Sequence, residues 1–396
     1  MSDFNFHVKP IGLFDMLHFK KMVPARQKAL ACGSTDHVTG VYGSNKLASR
    51  LHPKEQHLTI AEIIEHSDNA KSFVLTGKNL APFRAGQYVS VSLKIGSAVL
   101  TRPYSISCSP KWALEGKYAL TIKRQQDGFA SGWILDNWKV GDEITVSGPE
   151  GTFYYEPLRD AKHVVGLAGG CGITPFLSMA YAIRDGVEDF RLTLLYGSRK
   201  ECDILYHSEL EEIAKVTDKV KIVHILSDEQ KEGYEYGFIT AEAIQAACGT
   251  EPCSVFLCGP AAMYAFVDKE VEKLKLAGKF IRHELYAAPA SPGKLKGYPG
   301  GTDKRFTLTV KRYGDTLTLP MSADETVLVA LERAGVAAPS RCRGGECGWC
   351  RAKLDKGEVF LPEYLDKRRM ADVSAGYIHP CCSYPLSDLS IEVWPE

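Results

Sequence analysis

Three cysteines within nine residues, in the stretch RCRGGECGWCRAKL at 341–354, limit what this chain can become more than any other feature. Cys342, Cys347 and Cys350 follow the spacing C-x4-C-x2-C, and further thiols stand about 30 residues on, at Cys381 and Cys382. That spacing suits the ligands of a two-iron two-sulfur cluster. Each iron takes two thiolates, and glycines at 344, 345 and 348 let backbone amides approach the bridging sulfides closely. Zinc is the main rival. Structural zinc usually uses two short pairs of ligands, however, and here three cysteines crowd one loop. The fourth ligand is Cys381 or Cys382.

The rest of the chain fixes the setting. At ~100 to 200 residues per domain, 396 residues favour two or three domains. The 48 basic and 48 acidic residues cancel, which removes any whole-chain case for nucleic acid or an anionic membrane surface as partner. The opening MSDFNFHVKP carries Asp3 and Lys9 and no apolar core before a cleavage site, unlike a signal peptide. The longest stretch without charge, 164–183, is broken by Gly169, Gly170, Gly172 and Pro175, so it reads as strand, turn and helix rather than an integral membrane segment. A cytoplasmic protein is expected, whose 12 cysteines are mostly thiols or metal ligands.

Five segments follow in order. Residues 1–54 form an N-terminal extension whose stretch 11–21 reads as an amphipathic helix, expected to pack on the next domain. Across 55–157 short alternating runs (HLTIAEI, QYVSVSLKI, YALTIKR, DEITVSG) are punctuated by GKN, QQDG and KVGD, the pattern of an antiparallel barrel or sandwich. Across 158–287 apolar runs of strand length (HVVGLAG, RLTLLYG, KVKIVHIL, SVFLCGP) alternate with helical patterns, which predicts an α/β parallel sheet with crossover helices. A linker rich in Ala, Pro and Gly at 288–302 precedes the last domain, 303–396.

Two other constellations carry chemistry. In VVGLAGGCGITPFLSMA, three glycines lie between strand and helix with Thr174 as N-cap and Pro175 at the first helical position, a turn that can present amides to a phosphate. It lacks the G-x-G-x-x-G spacing, and any tight strand-to-helix connection favours glycine. RPYSISCSP at 102–110 and DGFASGW at 127–133 would, taken alone, read as ordinary surface polarity. Cys248 and Cys253 repeat the x4 spacing without a glycine-rich loop and read as incidental thiols, as do Cys32, Cys108 and Cys202; Cys171 fits its turn by size, and His379 is one histidine beside a complete set of four cysteines.

Together these motifs make 55–287 similar to the ferredoxin-NADP reductase superfamily, a flavin-binding barrel followed by a nicotinamide-binding sheet. The last domain resembles plant-type ferredoxins, α+β proteins of β-grasp fold. The resemblance implies that Arg102 meets the flavin phosphate, that Tyr104 packs near the flavin with Ser105 close to its ring, and that Gly128 and Ser131 approach its phosphates. It implies that Gly169, Gly170, Gly172, Thr174 and Pro175 face the nicotinamide dinucleotide, that Tyr196, Gly197, Ser198 and Arg199 receive its adenosine half, and that Cys258, Gly259 and Pro260 lie beside the nicotinamide. Glu284 and Tyr286 match the family's ending near the flavin, although plant members stop at that tyrosine and this chain continues. In the ferredoxin segment the last ligand lies five residues after Gly376 and four before Pro385, which selects Cys381.

The combined reading is an NAD(P)H-dependent oxidoreductase. NADH or NADPH delivers hydride to FAD, with FMN the other candidate, in a site organised by Ser105, Cys258 and Glu284. The flavin passes single electrons to the cluster and on to a redox partner protein such as a terminal oxygenase. Arg341, Arg343 and Arg351 flank the cluster as part of a partner-docking face, as charges that tune the cluster electrostatically, or as solvated charges. The alternative is a non-catalytic electron-transfer or redox-sensing subunit.

Overall fold

The computed structural model describes residues 12–32, 42–125, 128–284, 291–293 and 295–394. The chain divides into two compact units, Met1–Leu47 and Ala48–Glu396. In the first, α1 (Leu13–Ala31) continues through Pro24 well beyond the expected helix. Its described side chains, Phe14, Met16 and Phe19 among them, are all exposed, so the stripe expected to pack is not buried. α2 (Gly43–Leu51) follows after a stretch outside the described residues.

The second unit begins with six antiparallel strands, β1 (Gln56–Ser67), β2 (Ala70–Thr76), β3 (Tyr88–Ile95), β4 (Ala98–Ser105), β5 (Lys117–Lys123) and β6 (Glu143–Val146), in the order β4-β3-β6-β1-β2-β5. A bridge between Ile106 and Leu120 joins the two outer strands and closes the sheet into a barrel. Alternation drives it: Leu58, Ile60, Val89, Val91 and Ile122 point inward and are buried. Between the barrel strands lie α3 (Lys111–Leu114) and α4 (Phe129–Asn137). Just past α4, Trp138 meets Phe73 edge-on at 5.0 Å.

Six parallel strands come next, β7 (His163–Gly169), β8 (Arg191–Ser198), β9 (Val220–Leu226), β10 (Glu235–Tyr236), β11 (Cys253–Cys258) and β12 (Ile281–His283), ordered β10-β9-β8-β7-β11-β12. One core takes α5 (Thr174–Arg184) and α6 (His207–Val216), and a second takes α7 (Ala241–Cys248) and α8 (Ala261–Lys273). Every residue of β7 is buried, which explains its unbroken apolar run.

The third sheet orders β14 (Asp315–Ser322), β13 (Arg305–Arg312), β19 (Leu389–Glu392), β15 (Ala352–Lys356) and β17 (Tyr377–Ile378), beside a small pair formed by β16 (Val359–Phe360) and β18 (Tyr384–Pro385). β13 and β19 run parallel while the other pairs are antiparallel. α9 (Val327–Arg333) packs Val327, Ala330 and Leu331 onto Leu308, Val310 and Ile391, and α10 (Met370–Ser374) precedes β17.

Two local expectations need correction. Thr174 is the first residue of α5 rather than its cap: Ile173 holds the cap position, and the Thr174 hydroxyl donates to the Cys171 carbonyl at 3.1 Å, because a short 3-10 turn over Gly170–Ile173 already leads into the helix. Cys248 and Cys253 are not incidental thiols but a disulfide. Gly249, at φ +67°, turns the chain so that the end of α7 and the start of β11 bring their Cα atoms to 5.6 Å.

Arg282 on β12 ties the connector after the barrel to the parallel sheet. Its guanidinium pairs with Asp160, donates to the Thr152 carbonyl at 2.8 Å and to the Tyr154 carbonyl, and lies over the Phe256 ring at 4.8 Å. The Asp160 side chain is fully buried. Arg282→Met therefore strands a buried carboxylate, and chemical denaturation should read a loss of about 3–5 kcal/mol; Asp160→Leu added to Arg282→Met should recover part of it.

Candidate functional site

The cluster loop lies after α9, in residues with no regular structure. Arg343, Gly345 and Gly348 take φ of +55°, +80° and +68° and fold it back on itself. At Gly345 a Cβ would fall 2.3 Å from the Leu365 carbonyl oxygen and 2.9 Å from Cys382 Sγ, so only glycine fits. Amides then aim at sulfur. Cys347 N–H reaches Cys342 Sγ at 3.4 Å, Trp349 N–H reaches Cys347 Sγ at 3.5 Å, and Gly345 N–H reaches Cys381 Sγ. Cys342 pairs with Cys347 by a side-chain hydrogen bond, and Cys350 with Cys381.

The sulfurs thus gather at one place, Cys342 with Cys347 and Cys381 with both Cys350 and Cys382. Among the described residues no three of them lie within 4.8 Å of one another, too spread for a single tetrahedral ion and suited to two irons with two thiolates each. The donor set fits a [2Fe-2S] cluster. Cys382 is fully buried; its thiol lies 3.5 Å from the His379 carbonyl oxygen and is also hydrogen-bonded to Cys381. His379 is also buried, with Nδ1 2.8 Å from the Gly345 carbonyl oxygen, which braces the loop.

At the glycine turn, Gly172 presses on the strand-end Cys258; a Cβ there would lie 2.2 Å from the Cys258 carbonyl oxygen. Gly169 ends β7, Gly170 takes φ +52°, and Pro175 sits in the first turn of α5. The Tyr196 hydroxyl donates to the Gly170 carbonyl at 3.0 Å, which ties β8 to the turn. Ser198 ends β8, where its carbonyl and that of Arg199 accept from the amides of Ser227 and Asp228 at 3.0 and 2.9 Å. Burial pushes the Cys171 thiol up to about 11 and the Cys258 thiol well above its ordinary range, so both are neutral. Gly259 and Pro260 lead from β11 into α8.

Glu284 is buried beside Cys258, and its amide donates to the Leu257 carbonyl at 3.0 Å. Tyr264, four residues after Pro260, pins this corner: its hydroxyl donates to the Glu284 carbonyl and accepts from Gly259 N–H at 3.3 Å. Tyr286 lies outside the described residues. On the barrel, Ser131 spends its hydroxyl on the Gln125 amide at 3.0 Å, and a Cβ at Gly128 would meet Gln125 Cβ at 2.6 Å. Burial raises the Tyr104 phenol, against the opposing effect of the Arg102 and Arg343 guanidinium groups.

Tyr88 joins the two regions. It pairs with Ser105 across β3 and β4 and bridges to Glu150. Burial raises its phenol far above the ordinary range, with Cys342, Glu150, Cys347 and Glu284 adding to the effect. Through Glu150, which pairs with Arg341 at 2.9 Å, the strand end at Tyr88 and Ser105 is tied to the cluster loop. Sequence reading missed Tyr88, and missed Tyr264, because a tyrosine in an alternating strand or a helix first turn looks like ordinary core.

The cluster-flanking arginines each meet a carboxylate. Arg341 Nε sits 2.9 Å from Glu150 and stacks over Trp349 at 3.4 Å, Arg343 is buried against Glu332 at 2.5 Å, and Arg351 pairs with Asp372 at 3.3 Å. Arg102 meets Glu332 as well, with Nη1 3.3 Å from each oxygen. Elsewhere His207, Glu211 and His224 converge; His224 Nε2 lies 3.2 Å from Glu211 and His207 Nε2 3.0 Å from the Tyr234 hydroxyl, while the buried His224 Nδ1 has no partner among the described residues.

Comparison with known proteins agrees with this geometry. Residues 57–155 match the family model "Oxidoreductase FAD-binding domain", 167–269 match "Oxidoreductase NAD-binding domain", and 310–386 match "2Fe-2S iron-sulfur cluster binding domain". The ferredoxin reductase component of 3-ketosteroid-9-alpha-monooxygenase from Mycobacterium tuberculosis is 31% identical over 354 residues, covering 85% of this chain and 94% of the relative. This chain belongs to the family of oxygenase reductase components.

The glycine betaine monooxygenase reductase subunit of Pseudomonas aeruginosa is 28% identical over 371 residues, covering 88% and 98% of the two chains. Among solved structures, phthalate dioxygenase reductase, described as a modular structure for electron transfer from pyridine nucleotides to [2Fe-2S], aligns with a TM-score of 0.63 at 26% identity, covering 86% and 98%. The chain is thus an NAD(P)H-dependent iron-sulfur flavoprotein reductase that uses FAD and a [2Fe-2S] cluster. Among the described residues no helix is long and apolar enough to cross a membrane.

The two glycines of the nucleotide turn should respond differently to alanine. Gly172→Ala drives a Cβ into the Cys258–Gly259 backbone, whereas Gly170→Ala meets open space and carries only a left-handed φ. Gly172→Ala is expected to slow NADH-driven flavin bleaching at least about tenfold, and Gly170→Ala should cost about 1–2 kcal/mol of stability with a smaller kinetic effect. Stopped-flow absorbance and thermal unfolding separate the two.

Proposed function

We propose that this reductase takes hydride from NAD(P)H at the corner formed by Ser105, Cys258 and Glu284, and delivers single electrons to a terminal oxygenase through a cluster held by Cys342, Cys347, Cys350 and Cys381. The observation that carries the reading is Glu150, which bridges to Tyr88, the strand partner of Ser105, and takes Arg341 of the cluster loop at 2.9 Å. FAD supplies the conversion between a two-electron donor and a one-electron acceptor. Relatives named as reductase subunits or components of monooxygenases motivate the choice of acceptor. We place the reductase in the cytoplasm, where reduced nicotinamide is supplied.

The chain's own residues do the positioning. Arg102, Tyr104, Ser105, Gly128 and Ser131 hold the flavin, with Tyr286 following Glu284 toward it. Gly169, Gly170, Gly172, Thr174 and Pro175 present the turn and helix start to the nucleotide phosphates. Ser198 and Arg199 take the adenosine half, while Gly259 and Pro260 shape the nicotinamide end. Neutral Cys258 and Cys171 make that corner polar without a nucleophile, which suits transfer of hydride with no covalent bond to protein. Glu284 places a carboxyl group at the same corner.

An anaerobic titration of the purified protein, first with NADH and then with NADPH, tests the reading. Flavin bands should bleach together with the broad cluster absorbance, and the donor effective at lower concentration is the physiological one. Absence of bleaching with both nucleotides sinks the proposal. The ligand assignment has its own test: Cys381→Ser should lose the cluster's visible absorbance and its low-temperature EPR signal, while Cys382→Ser should keep both. The reverse pattern would assign Cys382.

A further inference from the structure

We propose that Glu332, a residue of the cluster domain, is a positioning residue that sets the flavin barrel and the cluster loop at the separation electron transfer requires. The inference rests on the assignment above of the flavin to the barrel and the cluster to the loop. Glu332 is 5% exposed and lies in the last turn of α9, where a negative charge opposes the helix dipole. Neither solvation nor helix stability accounts for it. Among the described residues, its hydrogen bonds go to groups outside its own helix. Arg102 Nη1 reaches both oxygens at 3.3 Å, the Thr101 amide reaches Oε1 at 3.4 Å, and Arg343 Nη1 reaches Oε1 at 2.5 Å.

Each partner belongs to one of the two cofactor sites. Arg102 opens the R-x-Y-S strand end, and only its Nη1 is hydrogen-bonded among the described residues, which leaves the rest of the guanidinium fork for an anion such as the flavin phosphate. Arg343 follows Cys342 directly and holds a left-handed backbone at φ +55° in the cluster loop. One carboxylate thus fixes a flavin-side arginine and a cluster-side arginine at once.

The surrounding contacts set the same approach. The Thr101 and Ser340 hydroxyls bond across the interface, Gly335 lies so close that a Cβ would be 2.7 Å from the Ser97 carbonyl oxygen, and Arg341 pairs with Glu150 at 2.9 Å. Removing the carboxylate leaves the buried Arg343 guanidinium facing the half-buried one of Arg102, and their repulsion opens this interface.

The test uses the full chain with Glu332→Gln, alone and combined with Arg343→Gln, in anaerobic rapid mixing with NADH that follows flavin and cluster absorbance separately. Glu332→Gln should keep NADH-driven flavin bleaching within about twofold of the unsubstituted protein and keep the EPR signal of the dithionite-reduced cluster. Cluster reduction by the flavin should fall roughly ten- to hundredfold. The double variant, which removes the uncompensated guanidinium, should recover part of that loss. A merely structural residue would lower all three readouts together. Cluster reduction within twofold of normal in Glu332→Gln overturns the inference, and so does a double variant as slow as the single one. Failure of flavin-to-cluster transfer in the unsubstituted protein would overturn the underlying reading instead.

Discussion

A buried carboxylate between two guanidinium groups holds the flavin barrel against the cluster loop. Glu332 and Arg343 side chains are 6% and 7% exposed, and Arg102 is only partly exposed, so these charges meet where water screens them poorly. At an effective dielectric near 20, a charge pair at 4 Å gains about 4 kcal/mol, yet taking each ion out of water costs several. The net stabilisation is therefore small. What such a triad supplies is direction: a carboxylate has two oxygens, and here they are shared between donors from both domains. An apolar contact of equal area would allow the domains to slide; this one does not.

The second constraint is backbone approach. In the nucleotide turn and the cluster loop, backbone comes close only where side chains are absent. Gly172 against Cys258 and Gly345 against Leu365 are positions in these two motifs where a single methyl group could not be accommodated. Both lie in short motifs, which is why those motifs survive as recognisable strings. The glycines at open positions, such as Gly170, answer a different need, the left-handed backbone.

Much of this was legible in the chain itself. Alternation in QYVSVSLKI and the unbroken run HVVGLAG distinguish a strand with one solvated face from one buried on both, and the barrel and the parallel sheet follow from that difference. The cluster domain was legible because C-x4-C-x2-C has few other uses. Glu332 was not: in VLVALERAG it reads as a solvated charge on a helix, and its burial comes from a strand about 230 residues earlier. Tyr88 hides for the same reason. The disulfide at Cys248 and Cys253 was hidden by a turn geometry that the spacing alone does not reveal. In each case a local pattern was read correctly as a pattern, and a contact distant in sequence or folded by a turn decided its meaning.

These long-range contacts share a support. Tyr88 lies on β3, and Thr101 and Arg102 lie on β4, adjacent antiparallel strands in register from Tyr88–Ser105 to Ile95–Ala98. Tyr88 is packed so closely that a Cβ on Gly151 would sit 2.8 Å from its ring, and Glu150 next to it accepts Arg341 from the cluster loop. Strands held by a continuous ladder position side chains more tightly than loops do. The cluster loop has no regular structure, and its conformation depends on left-handed residues. By anchoring Arg341 and Arg343 of that loop through Glu150, bridged to β3, and through Glu332, bonded to β4, the barrel lends its rigidity to a segment that has no secondary structure of its own.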